Sequence, residues 1–198
     1  MDLFRMAKEL QISIIEWLDR YGECYIGEDS RVPIIRIRPI GETRKCPLLK
    51  NNKCSIHKAK PSVCRIYPLG RALRYALDGQ GKPNTKKPEV IYFHSGCFCV
   101  RQTGNQTVKD WLEEFGLLEN ETFFIQWSQA VADISMFLRK LEDMITDQSI
   151  MVMVWNMVFG FLYVRYDIGK EFQSQFERNI IIIRLLEKCQ RMLCGESV

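Results

Sequence analysis

The sequence predicts an α+β fold that is mainly helical. Three observations lead to this prediction: a polar, turn-rich stretch with several cysteines, an alternating segment followed by a hairpin pattern, and long helical periodicity after residue 106. The first two indicate a small cysteine-rich module with a short strand and a β-hairpin over residues 1–105. The third indicates a helical C-terminal bundle over residues 106–198, packed on that module.

The chain opens with apolar residues at helical spacing over residues 3–10 and 12–21. This spacing predicts two short helices or one bent helix. Residues 32–40 alternate between apolar and basic side chains, with Ile35 and Ile37 separated by Arg36. The alternation predicts a strand.

The middle of the chain is predicted to hold loops, short helical turns and one hairpin. Three prolines within residues 46–70 break any longer helix in the cysteine stretch. Residues 71–77 and 89–93 are predicted as hairpin arms, joined by the turn-rich segment 78–84. Such a hairpin would return Cys97 to the vicinity of the earlier cysteines.

Beyond residue 106 the pattern becomes helical. Thr107 is a good N-cap residue, with Asp110 three positions later, and Gly116 marks the end of that helix. Apolar residues then keep a helical period over residues 123–145. A last helix is predicted at about residues 170–193.

The most hydrophobic stretch, residues 150–164, predicts another helix that ends near Arg165. It contains Asn156 and Gly160, and it is shorter than the ~20 apolar residues that a membrane span needs. We therefore expect a buried core helix and no membrane span, with a membrane-binding or partner-binding face as the alternative.

Three cysteines in the polar stretch point to metal binding. Cys46, Cys54 and Cys64 lie among Lys, Arg, Pro and Asn, and Cys97 and Cys99 follow after the hairpin. Thiolates on loops can converge on one metal ion or cluster, and four of them suffice for a tetrahedral zinc site or an iron–sulfur cluster. The chain has no C-x2-C pair, so the spacing does not decide between zinc and iron.

The remaining candidate ligands are expected to have other roles. Cys24 follows a helical segment and is expected to be a buried free thiol. Cys189 and Cys194 lie on the last predicted helix and are expected to be inert. His57 and His94 flank the cysteines, but each is expected more often to be a hydrogen-bonding neighbour than a ligand.

The N-terminal residues and the cysteine content predict the cellular location of the protein. The chain has 198 residues, 46% of them hydrophobic, which is enough for a full core. Its first residues include Asp2, Arg5 and Lys8 where an export signal would be apolar. Eight cysteines without an export signal favour reduced thiols in the cytoplasm over a disulfide framework.

The net charge of +4 is unevenly distributed. Residues 31–74 carry +11, because Glu42 is their one acidic residue, which leaves −7 for the rest of the chain. Their cations are Arg31, Arg36, Arg38, Arg44, Lys45, Lys50, Lys53, Lys58, Lys60, Arg65, Arg71 and Arg74. Positive neighbours favour thiolates and offset the charge of a thiolate-bound metal. A solvated surface and a patch for an anionic partner both remain open, while no motif favours nucleic acid.

The cysteine stretch also resembles a known family. Its strings are Cys46-Pro47-Leu48-Leu49, Cys54-Ser55-Ile56-His57, and Lys60-Pro61-x-x-Cys64-Arg65-x-Tyr67-Pro68, with Gly96-Cys97 downstream. They are similar to the YkgJ-type cysteine-cluster proteins, which carry a CxxCxxCC motif and are described as chelating zinc or iron. The resemblance covers roughly residues 1–130.

This resemblance implies that Cys46, Cys54, Cys64 and Cys97 are metal ligands, with Arg65 and Tyr67 supporting them. The family's CxxCxxCC run lies upstream of the helical lead-in, whereas this chain begins inside that lead-in. We therefore expect either an incomplete N-terminus or a member that lacks half of the family's ligands.

Three functions follow as hypotheses. The first is a zinc-binding or iron–sulfur protein of unassigned activity. The second rests on relatives described as flagellin lysine N-methylases, and is a cluster-dependent lysine methylase or oxidoreductase. The third is a zinc-stabilised binding module whose basic face takes an unknown protein or other anionic partner. The sequence contains no glycine-rich loop or catalytic triad that would decide whether the chain is an enzyme.

Overall fold

The computed structural model describes residues 1–77, 79–80, 83–94, 96, 107–117 and 121–193. Within them the fold is α+β and mainly helical, as predicted. The helices are α1 (Asp2–Leu10), α2 (Ile14–Tyr21), α3 (Ser62–Ile66), α4 (Val108–Glu114), α5 (Glu121–Met144), α6 (Gln148–Phe159) and α7 (Phe172–Leu193).

In the residues that the structure describes, the strands form three antiparallel hairpins of two strands each. They are β1 (Gly22–Ile26) with β2 (Pro33–Ile37), β3 (Leu49–Lys50) with β4 (Lys53–Cys54), and β5 (Leu69–Leu77) with β6 (Pro83–His94). The predicted strand at residues 32–40 and the predicted hairpin at residues 71–93 are confirmed. β1 and the small β3–β4 hairpin were not predicted from the sequence.

The chain divides into two compact units. The first comprises Met1–Lys60 and Val131–Val198, and the second comprises Pro61–Ala130. The predicted boundary between residues 105 and 106 lies outside the described residues, so that division stays a prediction.

In the first unit, two short helices form at the N-terminus because each has a local stop or start signal. Gln11 adopts a left-handed conformation (φ 55°) that ends α1. The Ser13 side chain then caps α2 by accepting a hydrogen bond from the Glu16 N–H at 3.1 Å. Trp17 is fully buried, so α2 is fixed by one large apolar side chain.

The loop between β1 and β2 is fixed to the C-terminal helices through Arg31. Its guanidinium donates two hydrogen bonds to the Glu142 carboxylate of α5, at 2.7 and 2.5 Å. The Trp155 Nε1–H of α6 donates to the Arg31 carbonyl at 3.0 Å, and the Ser135 hydroxyl donates to the Ser30 carbonyl at 2.6 Å. Contacts distant in sequence therefore hold this loop in place.

The end of α6 continues as a π-helix over Gly160–Val164, and α7 satisfies the polar groups there. The buried Asn179 side chain donates to the carbonyls of Phe161 and Arg165 at 3.1 and 3.0 Å. Pairing the carbonyls at an irregular helix end avoids the cost of burying them without partners.

α6 is buried on one face only, which corrects the prediction of a core helix. Met151 and Val158 are buried, whereas Val152 and Met153 are 50% and 70% exposed. Within the described ranges, none of the helices combines the length and the apolar character that crossing a bilayer requires.

The second unit is built around a small apolar core of Ile66, Leu112 and Leu117. The predicted start of α4 is confirmed as a complete capping box, because Thr107 and Asp110 each accept a hydrogen bond from the other's backbone N–H. The Thr107 hydroxyl and N–H both donate to the Asp110 carboxylate, at 2.7 and 2.9 Å, and these two hydrogen bonds hold the pKa of Asp110 below its usual range.

The prediction for Cys24 is wrong. We expected a buried thiol after a helix, but Cys24 is an exposed free thiol within β1, opposite Ile35 of β2. β1 lies at the surface at this point, where the neighbouring Tyr25 is exposed as well. Partial burial still raises the pKa of this thiol.

The Arg31–Glu142 pair predicts a pH-dependent contribution to stability. The hydrogen bond from Arg31 lowers the pKa of Glu142 in the folded protein. The contribution is therefore present above the unfolded carboxyl pKa of about 4.3 and is lost as the pH falls through the folded value. We expect E142Q to lower the melting temperature near pH 7, with a difference from wild type that shrinks towards about pH 3.

The matched control for this prediction is D143N, which changes the neighbouring exposed carboxylate on the same helix. Thermal unfolding of all three proteins across this pH range is the measurement. An equal loss of stability in D143N, or a difference for E142Q that does not change with pH, would contradict the assigned role of the pair.

Candidate metal centre

Cys46 lies directly after a tight four-residue turn in the first unit. The turn is closed by hydrogen bonds between the backbones of Ile40 and Lys45, at 2.8 and 3.0 Å. The Cys46 carbonyl accepts the Leu49 N–H at 3.1 Å, which starts the next hairpin. The side chain of Cys46 is exposed and its thiol is free.

Cys54 lies on that next hairpin, directly opposite Leu49. The connection is a two-residue turn in which Asn51 and Asn52 have φ values of 48° and 58°. Asn tolerates this left-handed conformation better than most residues, and two such residues suit a type I′ turn. Cys54 is half-buried and its thiol is free. Cys46 and Cys54 therefore belong to one small hairpin and its entry.

Two apolar side chains anchor this hairpin. Leu48 and Ile56 are 3% and 1% exposed, one before the hairpin and one after it. Ser55 connects the two sides, because its N–H and its hydroxyl both donate to the Leu48 carbonyl, at 2.8 and 2.9 Å. Leu48 and Ile56 point into the core, whereas the side chain of Cys46 stays exposed.

Cys64 belongs to the second unit, on the short helix α3. Its N–H and that of Arg65 both donate to the Pro61 carbonyl, at 2.9 and 3.0 Å, and this starts the helix. Ile66 supplies the buried side chain of α3, while Cys64 carries an exposed thiol. The helix is thus held by its apolar residue and presents its cysteine.

The two histidines near the cysteines are exposed, and the remaining cysteines lie outside the described residues. His57 is exposed on a 3-10 turn, His57–Ala59. His94 is exposed at the end of β6, and its Nδ1 accepts the Gly96 N–H at 3.1 Å, which leaves Nε2 as the nitrogen for a metal. Cys97, Cys99, Cys194 and the side chain of Cys189 lie outside the described residues.

The described residues contain no group of three or more His, Cys, Asp or Glu side chains close enough together to hold a metal ion. The chemistry of the donor set nevertheless fits zinc or an iron–sulfur centre. The predicted ligands Cys46, Cys54 and Cys64 are thiols outside any disulfide, and none is fully buried. Because Cys97 is undescribed, the predicted four-ligand set stays a prediction.

The two residues predicted to support the ligands have partners of their own. Arg65 donates to the Phe115 carbonyl at 2.8 Å, within the second unit. That bond satisfies a carbonyl at the C-terminal end of α4, and the predicted role of Arg65 beside the ligands stays a prediction. Tyr67 is 51% exposed, and the Tyr67–Pro68 peptide bond is cis.

The basic residues around the cysteines fall into two groups. Six arginines have partners inside the protein: Arg31 with Glu142, Arg36 with Glu23, Arg38 with the Gly22 carbonyl, Arg65 with the Phe115 carbonyl, Arg71 with the Phe124 ring, and Arg74 with Glu89. These arginines hold neighbouring elements together.

The other six cations of residues 31–74 make no side-chain ion pair or hydrogen bond within the part of the chain that the structure describes. They are Arg44, Lys45, Lys50, Lys53, Lys58 and Lys60, called the loop cations below. All belong to the first unit, and only Lys60 is half-buried while the rest are exposed. They surround Cys46 and Cys54 in the sequence.

The sequence carries a local signal for the hairpin between the cysteines. The dipeptide Asn51-Asn52 stands between two lysines, and paired asparagines are suited to a two-residue turn. With strands of two residues, the hairpin is too short for an alternating pattern to reveal it.

Comparison with protein families finds a similarity over the N-terminal part of the chain. A family model, CxxCxxCC, described as "Putative zinc- or iron-chelating domain", matches residues 8–98. The matched range includes Cys46, Cys54, Cys64 and Cys97. No curated protein matches the chain, and no solved structure matches it.

The exposure of the thiols predicts a labelling pattern. In metal-free protein we expect iodoacetamide to modify Cys46 and Cys64 rapidly and the half-buried Cys54 more slowly. Loading with zinc, or with iron and sulfide, should protect all three, because a ligating thiolate is no longer a nucleophile. Peptide mass spectrometry measures the modified fraction of each cysteine.

Cys24 is the internal control for this experiment. It is exposed but is not a predicted ligand, so its labelling rate should be the same with and without metal. Equal protection of Cys24, or full labelling of Cys46 in the metal-loaded protein, would contradict the ligand assignment.

Proposed function

We propose that this chain binds zinc or an iron–sulfur cluster through the thiolates of Cys46, Cys54, Cys64 and Cys97. The observation that carries the proposal is the match of residues 8–98 to a family model described by zinc or iron chelation. All four cysteines lie within that range, and they are the predicted ligands from the sequence.

The state of the described cysteines supports this function. A cysteine kept only as a small apolar core residue would be buried, as free cysteines commonly are. Cys46 and Cys64 are exposed, and Cys54 is half-buried. Each stands beside a buried apolar anchor that fixes the backbone, so each thiol is available to a metal without unfolding the core.

The charge around the thiols supports the same function. Four thiolates on one Zn²⁺ leave a net negative centre, and a negative centre is stabilised by nearby cations. The loop cations supply six positive charges within residues 44–60, a segment without an acidic residue. A bound metal would supply structural cross-links or, as an iron–sulfur cluster, electron transfer.

The enzyme hypothesis has weaker support. Resemblance to YkgJ-type proteins and flagellin lysine N-methylases is its basis, and none of the residue contacts described above favours methyl transfer or oxidoreduction. The activity therefore stays a prediction from resemblance, and so does the choice between zinc and iron.

Metal analysis of anaerobically purified protein tests the proposal. We expect about one metal centre per chain, either as zinc in a colourless protein or as iron and sulfide in a brown protein that absorbs near ~400 nm. C46S and C54S should each lose most of this metal, because a missing thiolate leaves the site incomplete.

C24S is the matched control, since it removes an exposed thiol of the same unit that is not a predicted ligand. It should keep the metal content of wild type. Metal content that is unchanged in C46S and C54S, or that falls equally in C24S, would contradict the proposed ligand set.

A further inference from the structure

The loop cations carry a surface charge with which no side chain in the described part of the first unit forms an ion pair. Six arginines elsewhere in residues 31–74 already contact partners inside the protein. Only part of the net charge of +11 in this range is therefore available to bind a ligand. The available charge lies within residues 44–60, on the turn before Cys46, the β3–β4 hairpin and the 3-10 turn after it. A surface that binds an anion through these cations would therefore lie within residues 44–60.

One contact within this surface works against the fold. Lys50 and Lys53 are directly opposite each other across the β3–β4 hairpin. Like charges at directly opposed positions destabilise a strand pair. A hairpin of four strand residues has few other interactions to offset this repulsion, and an anionic group near both lysines would remove it.

The composition of the surface indicates which anion it suits. Five of the six loop cations are lysines, point charges that attract carboxylates and phosphates alike, so the kind of cation does not separate these anions. Residues 44–60 contain no Phe, Tyr or Trp on which a base could stack. The lack of aromatic side chains does not favour nucleic acid.

Apolar exposure beside the charges points to a polypeptide. Leu49 is 43% exposed between Cys54 and the lysine pair, and Ile40 is 54% exposed at the turn before Cys46. The cations are carried on three short turns, whereas a bilayer is usually met by the face of an amphipathic helix. An acidic segment with a few apolar side chains can follow such turns and contact both kinds of group.

We propose that residues 40–60 of the first unit are a docking surface for an acidic polypeptide segment of a partner protein, with Lys50 and Lys58 among its contacts. The contacts of this surface are side chains other than the cysteine ligands, but they belong to the same loop cations that lie near the proposed metal centre in the sequence, so metal content is measured beside docking. Attraction between opposite charges would mainly accelerate association and would weaken with salt.

The test is binding of a labelled synthetic peptide rich in Glu and Asp with interspersed Leu, measured by fluorescence anisotropy on the full chain. K50E/K58E should weaken binding by about tenfold or more, since two attractive contacts become repulsive. Neither residue adjoins a cysteine in the sequence, and the new carboxylate at position 50 would face Lys53, so the hairpin should not be destabilised.

The control R178E/K188E makes the same change in net charge at two exposed residues of α7. It should bind the peptide within about twofold of wild type. If K50E/K58E does not fold by circular dichroism, K50A/K58A and R178A/K188A replace the two variants with the same expected order.

Two further probes separate the sources of negative charge: a double-stranded DNA fragment, and vesicles containing phosphatidylserine. The acidic peptide should bind more tightly than either at about 0.15 M salt. Tighter binding to DNA or to vesicles would overturn the proposal, and so would equal losses in the two charge-reversal variants or no loss in either. Metal content of each variant is measured alongside, so a failure of docking is distinguishable from a failure of the metal site.

Discussion

The structure around the cysteines depends on a few buried apolar side chains in a polar segment. Leu48 and Ile56 fix the hairpin of the first unit, and Ile66 fixes α3 of the second unit. Because each anchor takes the inward position, the neighbouring thiols of Cys46 and Cys64 are left outside. The segment is thus placed by packing but has little apolar surface of its own, so ligation by a metal would add the missing stabilisation.

The cations of residues 31–74 have two roles: most arginines hold the fold together, and most lysines remain exposed. Arginines such as Arg31 bind carboxylates or carbonyls and join distant elements, which suits their planar, many-donor side chain. The loop cations are nearly all lysines, and all but the half-buried Lys60 are exposed. One part of the basic excess therefore builds the fold, and the other is available to a thiolate-bound metal or an acidic partner.

The helices could be predicted because their signals are local. Thr107, Asp110 and Gly116 defined α4, and long apolar periodicity defined α5 and α7. The position of Cys24 could not be predicted, since it depends on pairing of β1 with β2. The division of the cations was also hidden, because Glu142 lies far from Arg31 in the sequence and meets it only in the fold. The four ligands remain predictions from cysteine spacing and family resemblance.

Hydrogen exchange on metal-loaded and chelator-treated protein tests most directly the claim that a metal holds the cysteine segment. Removal of the metal should accelerate exchange within residues 40–66, including the Leu49 and Ser55 amides that donate to Cys46 and Leu48. The amides of α5, α6 and α7 should keep most of their protection, because these helices bury their own apolar faces. Unchanged exchange in the cysteine segment, or an equal loss of protection in every helix, would contradict the account.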